Sequence, residues 1–167
     1  MYESILLPTD GSAGATAAAE HAGSIASQYG ATVHVLFVAE DDVGASGYVY
    51  GEQGGSEQAG MVGRQRGEKS SGLTNIRHDV MGAVSAHGEE VVASAADLLA
   101  DVDKVETTVE RGRAYETIND YCTSHEIDLI VMGTHGHSGV ERYLLGSTAE
   151  KVIRTAPIPV MTIRAEE

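Results

Sequence analysis

Between Tyr2 and Val38 two apolar runs flank one stretch of helical period, and this arrangement limits the fold more than any other feature of the chain. Tyr2 to Leu7 reads as a strand, with Ile5, Leu6 and Leu7 as its buried part. Pro8-Thr9-Asp10-Gly11-Ser12 is turn chemistry, and Ser12 is placed to cap a helix. Ala15, Ala18, Ala19, Ala22, Ile25, Ala26 and Tyr29 then recur at helical spacing. Most of that face is alanine, so the helix can lie close to a sheet. Gly30 falls where a C-terminal glycine cap belongs. Ala31 to Val38 is apolar almost without a break, as expected of a strand covered on both faces in a parallel sheet. A strand–helix–strand unit in this position sets an α/β class.

The rest of the chain continues the alternation. Val80, Val84, His87, Val91, Ala95 and Leu98 carry a helical period, and Lys104 to Glu110 reads as a strand. A helix with Ala114, Ile118, Tyr121 and Cys122 inward follows, then a strand at Ile127 to Met132. A helix from about Thr148 to Thr155 is stopped by Pro157 and Pro159, and Val160 to Ile163 forms the last strand. The expected fold is one domain over residues 1–167: an open, doubly wound, Rossmann-like sandwich of five mainly parallel strands and four helices. Asp42 to Arg77 breaks the pattern, with nine glycines and scattered polar residues, and reads as a long loop. Arg64, Arg66, Lys69 and Arg77 lie in it, so it reads either as a lid over an anion or as a solvated excursion.

Composition narrows the partners. The formal net charge is −14, from 25 acidic and 11 basic residues. Such a surface disfavours nucleic acid and anionic membranes. It also repels nucleotides at low salt, a repulsion that fades where the Debye length shrinks to ~3 Å near 1 M salt. A salt-loving host is the expectation. No run approaches the ~20 apolar residues of a membrane span, and Met1-Tyr2-Glu3-Ser4 is no signal peptide. The one cysteine, Cys122, reads as a packed core thiol and suits a reducing cytoplasm.

The segment that carries chemistry is Gly133-Thr134-His135-Gly136, nine residues, then Gly146-Ser147-Thr148. A strand, a glycine loop and a helix start bearing hydroxyls make a cradle for phosphate, because glycine admits an anion close to the backbone and free amides at a helix N-terminus favour negative charge. It is not a P-loop, since Leu145 and Gly146-Ser147 leave no lysine after the glycine, nor does it match GxGxxG. Ser147 and Glu150 also form S-x-x-E, the pattern of a capping box. In an open α/β sheet, ligands sit outside the carboxyl ends of the strands where the winding reverses. Pro8-Thr9-Asp10, Val38 and Gly133 onward all lie at such ends and can meet in one crevice.

The spacing G-x-x-G, nine residues, G-[ST] resembles the signature of the universal stress protein family in its nucleotide-binding branch. Ile-Leu-Leu-Pro-Thr-Asp near the start, His-Val-Leu-Phe-Val after the first helix and Ala-Pro-Ile-Pro-Val-Met-Thr-Ile at the end resemble it as well. The likeness covers nearly the whole chain outside Asp42 to Arg77. It implies ATP, with magnesium or manganese beside its phosphates, and a homodimer paired through Val160 to Ile163. Position by position, it implies that Pro8, Thr9 and Asp10 lie beside ribose and phosphates, with Asp10 near the cation. It implies that the backbone of Val38 reads the adenine edge and that Met132 and Gly133 flank the ribose. Gly136 and Gly146 become phosphate-loop glycines, and Ser147 and Thr148 phosphate contacts.

His135 and His137 flank Gly136 and are candidates to donate to phosphate; no cysteine or carboxylate set completes a zinc site around them. Arg142 is a candidate cation for the same loop. The sequence shows no catalytic constellation, so the expectation is a nucleotide-binding regulatory protein with at most slow ATP hydrolysis. The competing expectation is an interaction dimer of the same fold that holds no nucleotide.

Overall fold

A computed structural model describes residues 1–40, 70–136 and 145–165, and the side chains of 70–81 are not described. In chain order the elements are β1 (Ser4–Pro8), α1 (Ala13–Tyr29), β2 (Thr32–Ala39), α2 (Ser70–Asp97), β3 (Val105–Arg111), α3 (Ala114–Ser124), β4 (Leu129–Gly133), α4 (Ser147–Thr155) and β5 (Val160–Ile163). The five strands form one sheet in the order β3-β2-β1-β4-β5, and every pairing is parallel. The winding reverses at β1, which lies between β2 and β4.

Alternation along each strand sorts side chains to two faces. Ile5, Leu7, Val33, Val35, Leu129 and Val131 pack with α1 and α2. Leu6, Leu36, Ile130 and Met132 pack with α3 and α4. Both faces are covered, which is why β1 and β4 read as continuous apolar runs rather than alternating ones. The four helices thus lie two on each side, as a doubly wound sheet requires.

Helix α1 meets the sheet through Ala15, Ala18, Ala19, Ala22 and Ala26, all buried. Its ends are capped as the sequence indicates. The Ser12 hydroxyl accepts the Ala15 amide at 3.3 Å, and Gly30 turns left-handed at φ 68° while its amide returns to the Ala26 carbonyl at 2.8 Å. Tyr29, expected on the inner face, is instead 43% exposed. It stands edge-on to Tyr2 at the amino end of the sheet, with centroids 5.5 Å apart.

The structure shifts the reading of α2. The helix begins at Ser70, inside the stretch expected to be a loop to Arg77, while residues 41–69 lie outside the described ones. Three glycines, Gly72, Gly82 and Gly88, weaken its helical signal. Among its described side chains Val91, Val92 and Ala95 form the buried apolar face, continued by Leu99 just past the helix end; Leu98, placed inward by the sequence pattern, is 49% exposed, and His87 is exposed. Adjacent leucines at a helix end cannot be told apart by period alone. Among the described residues no helix is long and apolar enough to cross a membrane. Cys122 is buried, and desolvation pushes its thiol up to about 11, so it is an inert packing residue.

Candidate functional site

Three chain segments converge beyond the carboxyl ends of β1, β2 and β4. The first is the turn after β1. Pro8 closes the strand, and the Thr9 amide takes the Leu36 carbonyl at 2.9 Å, giving the last rung between β1 and β2. The Thr9 hydroxyl accepts the Gly11 amide at 3.2 Å, and Asp10 Oδ1 accepts the Ser12 amide at 3.0 Å. These side-chain turns hold a tight reversal into α1. Thr9 is 8% exposed, and its hydroxyl belongs to the turn.

The second segment is the end of β2. Leu36 directs its carbonyl toward β1, and residues two apart along a strand direct their backbone groups to the same side. The Val38 amide and carbonyl therefore point past the end of β1, where the sheet continues no further on that side. Its half-buried side chain packs with the α3–α4 core. A donor and an acceptor side by side at a sheet rim form the pair that the edge of a base can satisfy.

The third segment is the strand end and loop at Gly133 to Gly136. A Cβ on Gly133 would lie 2.6 Å from the Gly14 carbonyl carbon and 2.9 Å from the Ala15 nitrogen. A Cβ on Gly14 would lie 2.8 Å from the His135 carbonyl oxygen. The two glycines let the first turn of α1 seat directly on the end of β4. The Ser12 hydroxyl donates to the His135 carbonyl at 3.3 Å, joining the two turns across the switch point. Gly14 was not among the sequence candidates; its signal would have been a glycine in the first turn of a helix, where alanine is otherwise preferred.

The two ends of the loop are joined by a bond from the Gly146 amide to the Thr134 carbonyl at 2.8 Å, while the Thr134 amide donates to the Ile163 carbonyl of β5 at 2.8 Å. A Cβ on Gly136 would collide with Asp10 Oδ2, so the carboxylate of the first turn lies directly over the bare backbone of this glycine. A Cβ on Gly146 would lie 3.1 Å from the Thr134 carbonyl oxygen. The N-cap of α4 is Gly146, with no side-chain cap, and Ser147 is the first helical residue. The S-x-x-E pattern therefore does not form a capping box, because Ser147 stands one position inside the cap. The first amides of α4 have no intrahelical acceptor and face this end of the sheet. The Ser147 hydroxyl is exposed and Thr148 half-buried.

His135 is half-buried, and its Nδ1 lies 2.9 Å from the Thr134 hydroxyl. Its Nε2 is buried and has no hydrogen-bond partner among the described residues. Met132 is 5% exposed and packs into the core, leaving its backbone as the part that can meet a ligand. His137 and Arg142 lie outside the described residues. Among the described residues no cluster of three or more His, Cys, Asp or Glu side chains is arranged to hold a metal. A hard cation held here would take Asp10 and draw its remaining ligands from phosphate and water.

The arrangement suits an anion that bears a flat, hydrogen-bonding group: helix N-terminal amides and bare glycine backbone on one side of the switch point, an open strand rim on the other.

This fold coincides with that of known proteins. The chain matches the profile of the universal stress protein family over residues 1–164, and it belongs to that family. It is 31% identical over 165 residues to a universal stress protein of Methanocaldococcus jannaschii, covering 98% of this chain and 83% of the other. The solved universal stress protein UspA from Lactobacillus plantarum superposes with a TM-score of 0.74 at 28% identity, covering 98% of each chain. A universal stress protein solved in complex with cAMP shares the fold, with a TM-score of 0.65 at 17% identity over 99% of this chain and 98% of the other.

The Gly14–Gly133 contact makes a direct prediction. Gly133→Ala forces backbone apart at the switch point and should destabilise the protein by roughly 1–3 kcal/mol, the usual cost of overpacking. Urea denaturation of both proteins measures this, and an unchanged midpoint would show that α1 does not seat on β4 this closely.

Proposed function

We propose that this protein binds an adenine nucleotide, ATP with magnesium or manganese, in the crevice between the β1 turn and the Gly133–Thr148 segment. In this reading it acts as a regulatory stress-response protein rather than as an enzyme with substantial turnover. The observation that carries it is the stacking of the Asp10 carboxylate over Gly136, with Gly146 clasped to Thr134 and opening α4. A glycine loop shaped by an acidic side chain and ending on helix amides is a construction for phosphate and its cation. The Val38 backbone supplies the donor and acceptor for adenine. Met132 and Gly133 flank the ribose, Pro8 and Thr9 shape the floor, and Ser147 and Thr148 contact phosphate. His135 offers its buried Nε2 to the ligand, and His137, which follows Gly136 in the sequence, is the second candidate donor. The universal stress protein with cAMP, together with one from Archaeoglobus fulgidus in complex with dAMP, supports an adenine ligand for this fold.

Gly136→Val tests the site. Its side chain would fill the space under Asp10, so ATP affinity should fall at least ~30-fold, about 2 kcal/mol, with cooperative thermal unfolding retained. Calorimetric titration with Mg-ATP measures it. Unchanged affinity removes this loop from the site, and a wild-type protein with no ATP affinity favours the nucleotide-free interaction dimer.

Assembly belongs to the same proposal. β5 is the last strand of the sheet, and its outer edge meets no strand among the described residues; Met161 within it is 38% exposed. Unpaired edges invite a second strand, and a second copy of this chain would cover it. Light scattering at ~10 μM should return about twice the 17.5 kDa chain mass; the mass of one chain would refute the dimer.

The reading also places the protein in the cytoplasm of a salt-loving host. A net charge of −14 opposes both folding and the approach of ATP until salt screens it. The melting temperature should therefore rise by several degrees or more between ~0.1 M and ~2 M KCl, followed by circular dichroism. A flat or falling curve would exclude salt adaptation.

A further inference from the structure

On the face of the sheet that carries α3, at the middle of β2, lies a group of side chains that the nucleotide site does not use. His34 is 6% exposed and pairs in register with Leu6 of β1 and Glu106 of β3. Its Nδ1 lies 3.2 Å from the Tyr121 hydroxyl and 3.5 Å from Glu106 Oε2. The Tyr121 hydroxyl also lies 3.3 Å from the Thr108 hydroxyl, so one buried phenol joins β2, β3 and α3. The Tyr121 ring is stacked on His125 with centroids 3.8 Å apart and planes 10° from parallel. His125 stands at the C-cap of α3, its Nδ1 3.0 Å from the Ser124 hydroxyl and 3.2 Å from the Tyr121 carbonyl. The two imidazole centroids are 5.9 Å apart.

We propose that this histidine pair is an acid-sensitive latch, which holds α3 on the β2–β3 side of the sheet at neutral pH and releases it on acidification. The groups facing His34 are Glu106 from β3 and Tyr121 and His125 from α3; β1 presents only apolar Leu6. With His34 neutral, the Tyr121 hydroxyl can donate to Nδ1 and accept from Thr108. Protonation places a charge under α3, turns Nδ1 from acceptor to donor, and sets the charged ring against the imidazole of His125 with centroids 5.9 Å apart. Glu106 offsets part of this, but its side chain is 62% exposed and its field is screened by water and salt.

Burial, opposed by Glu106 and reinforced by His125, holds His34 below the ordinary value of 6.5. A histidine whose folded value is depressed contributes full stability above 6.5 and loses it as pH falls from there toward the folded value. The loss concentrates in α3 because that helix supplies Tyr121 and His125. The helix is only 11 residues long, held inward by Ile118, Tyr121 and Cys122. Its other end is bonded through the Ala114 amide to Glu40 Oε1 at 3.4 Å, two residues beyond Val38. Release of α3 would thus reach the rim of the crevice, although the latch itself stands whether or not a nucleotide binds there.

Hydrogen exchange of the ligand-free protein tests the latch. After division by intrinsic rates, protection of the α3 amides 117–125 should fall ~10-fold or more between pH 7.5 and pH 5.0, while α1 amides change little. His34→Gln keeps a hydrogen-bonding side chain without a titrating ring and should abolish most of that fall. An equal fall in His34→Gln, or a fall shared equally by α1, overturns the proposal. If His34→Gln does not fold, the test passes to His125→Gln, which removes the repelling partner at an exposed position. There the fall should shrink measurably, and an unchanged fall overturns the latch.

Discussion

The close approach of α1 to β4 positions every other part of the site. Neither Gly14 nor Gly133 can carry a Cβ without striking backbone of the other segment. Behind them the alanine face of α1 continues the contact along the sheet with buried side chains no larger than a methyl group. Because α1 lies this low, the turn that precedes it reaches the loop that follows β4. Ser12 bonds to the His135 carbonyl, and Asp10 comes to rest over Gly136. A larger residue in this seam would lift the helix and separate the two turns. Stability and site geometry therefore rest on the same contact, and the reversal of winding at β1 puts that contact at the mouth of the crevice.

The electrostatics follow from the same construction. The chain is strongly acidic, and the described parts of the crevice offer the Asp10 carboxylate together with backbone amides. Backbone dipoles oriented by α4 and by the glycine loop supply local positive potential without altering the charge of the surface. Such dipoles are fixed by the fold and are less exposed to screening than mobile surface cations. A site of this kind does not depend on long-range attraction by lysine and arginine, which salt screens.

Much of the fold was readable from residue pattern. Strand positions were right to within a residue or two, both caps of α1 were where Ser12 and Gly30 implied, and Cys122 was buried as expected. Three of the misses share one cause. Tyr29 and Leu98 are exposed, and α2 starts at Ser70 within an apparent loop, because periodicity near helix ends and in glycine-rich sequence carries little phase information. Ser147 looked like a capping residue, yet the cap falls on Gly146, since the bond from its amide to the Thr134 carbonyl sets where the helix begins. Gly14 and His34 were passed over because each matters only through a partner distant in sequence.

The sequence alone determined the class of architecture, the family and the loop that bears the glycines, because these are written in local spacing: period 2 or 3.6, turn chemistry, and fixed intervals between glycines. Only the tertiary structure decided which backbone groups are left open and which side chains meet. It directed the Val38 amide and carbonyl past the end of β1, laid Asp10 over Gly136, left His135 Nε2 without a partner among the described residues, and gathered His34, Glu106, Tyr121 and His125 where α3 meets β2 and β3. The physical reason is that spacing along a chain specifies elements, whereas contacts across a sheet depend on register and on how closely a helix can approach. In this protein that approach is set by two glycines more than a hundred residues apart.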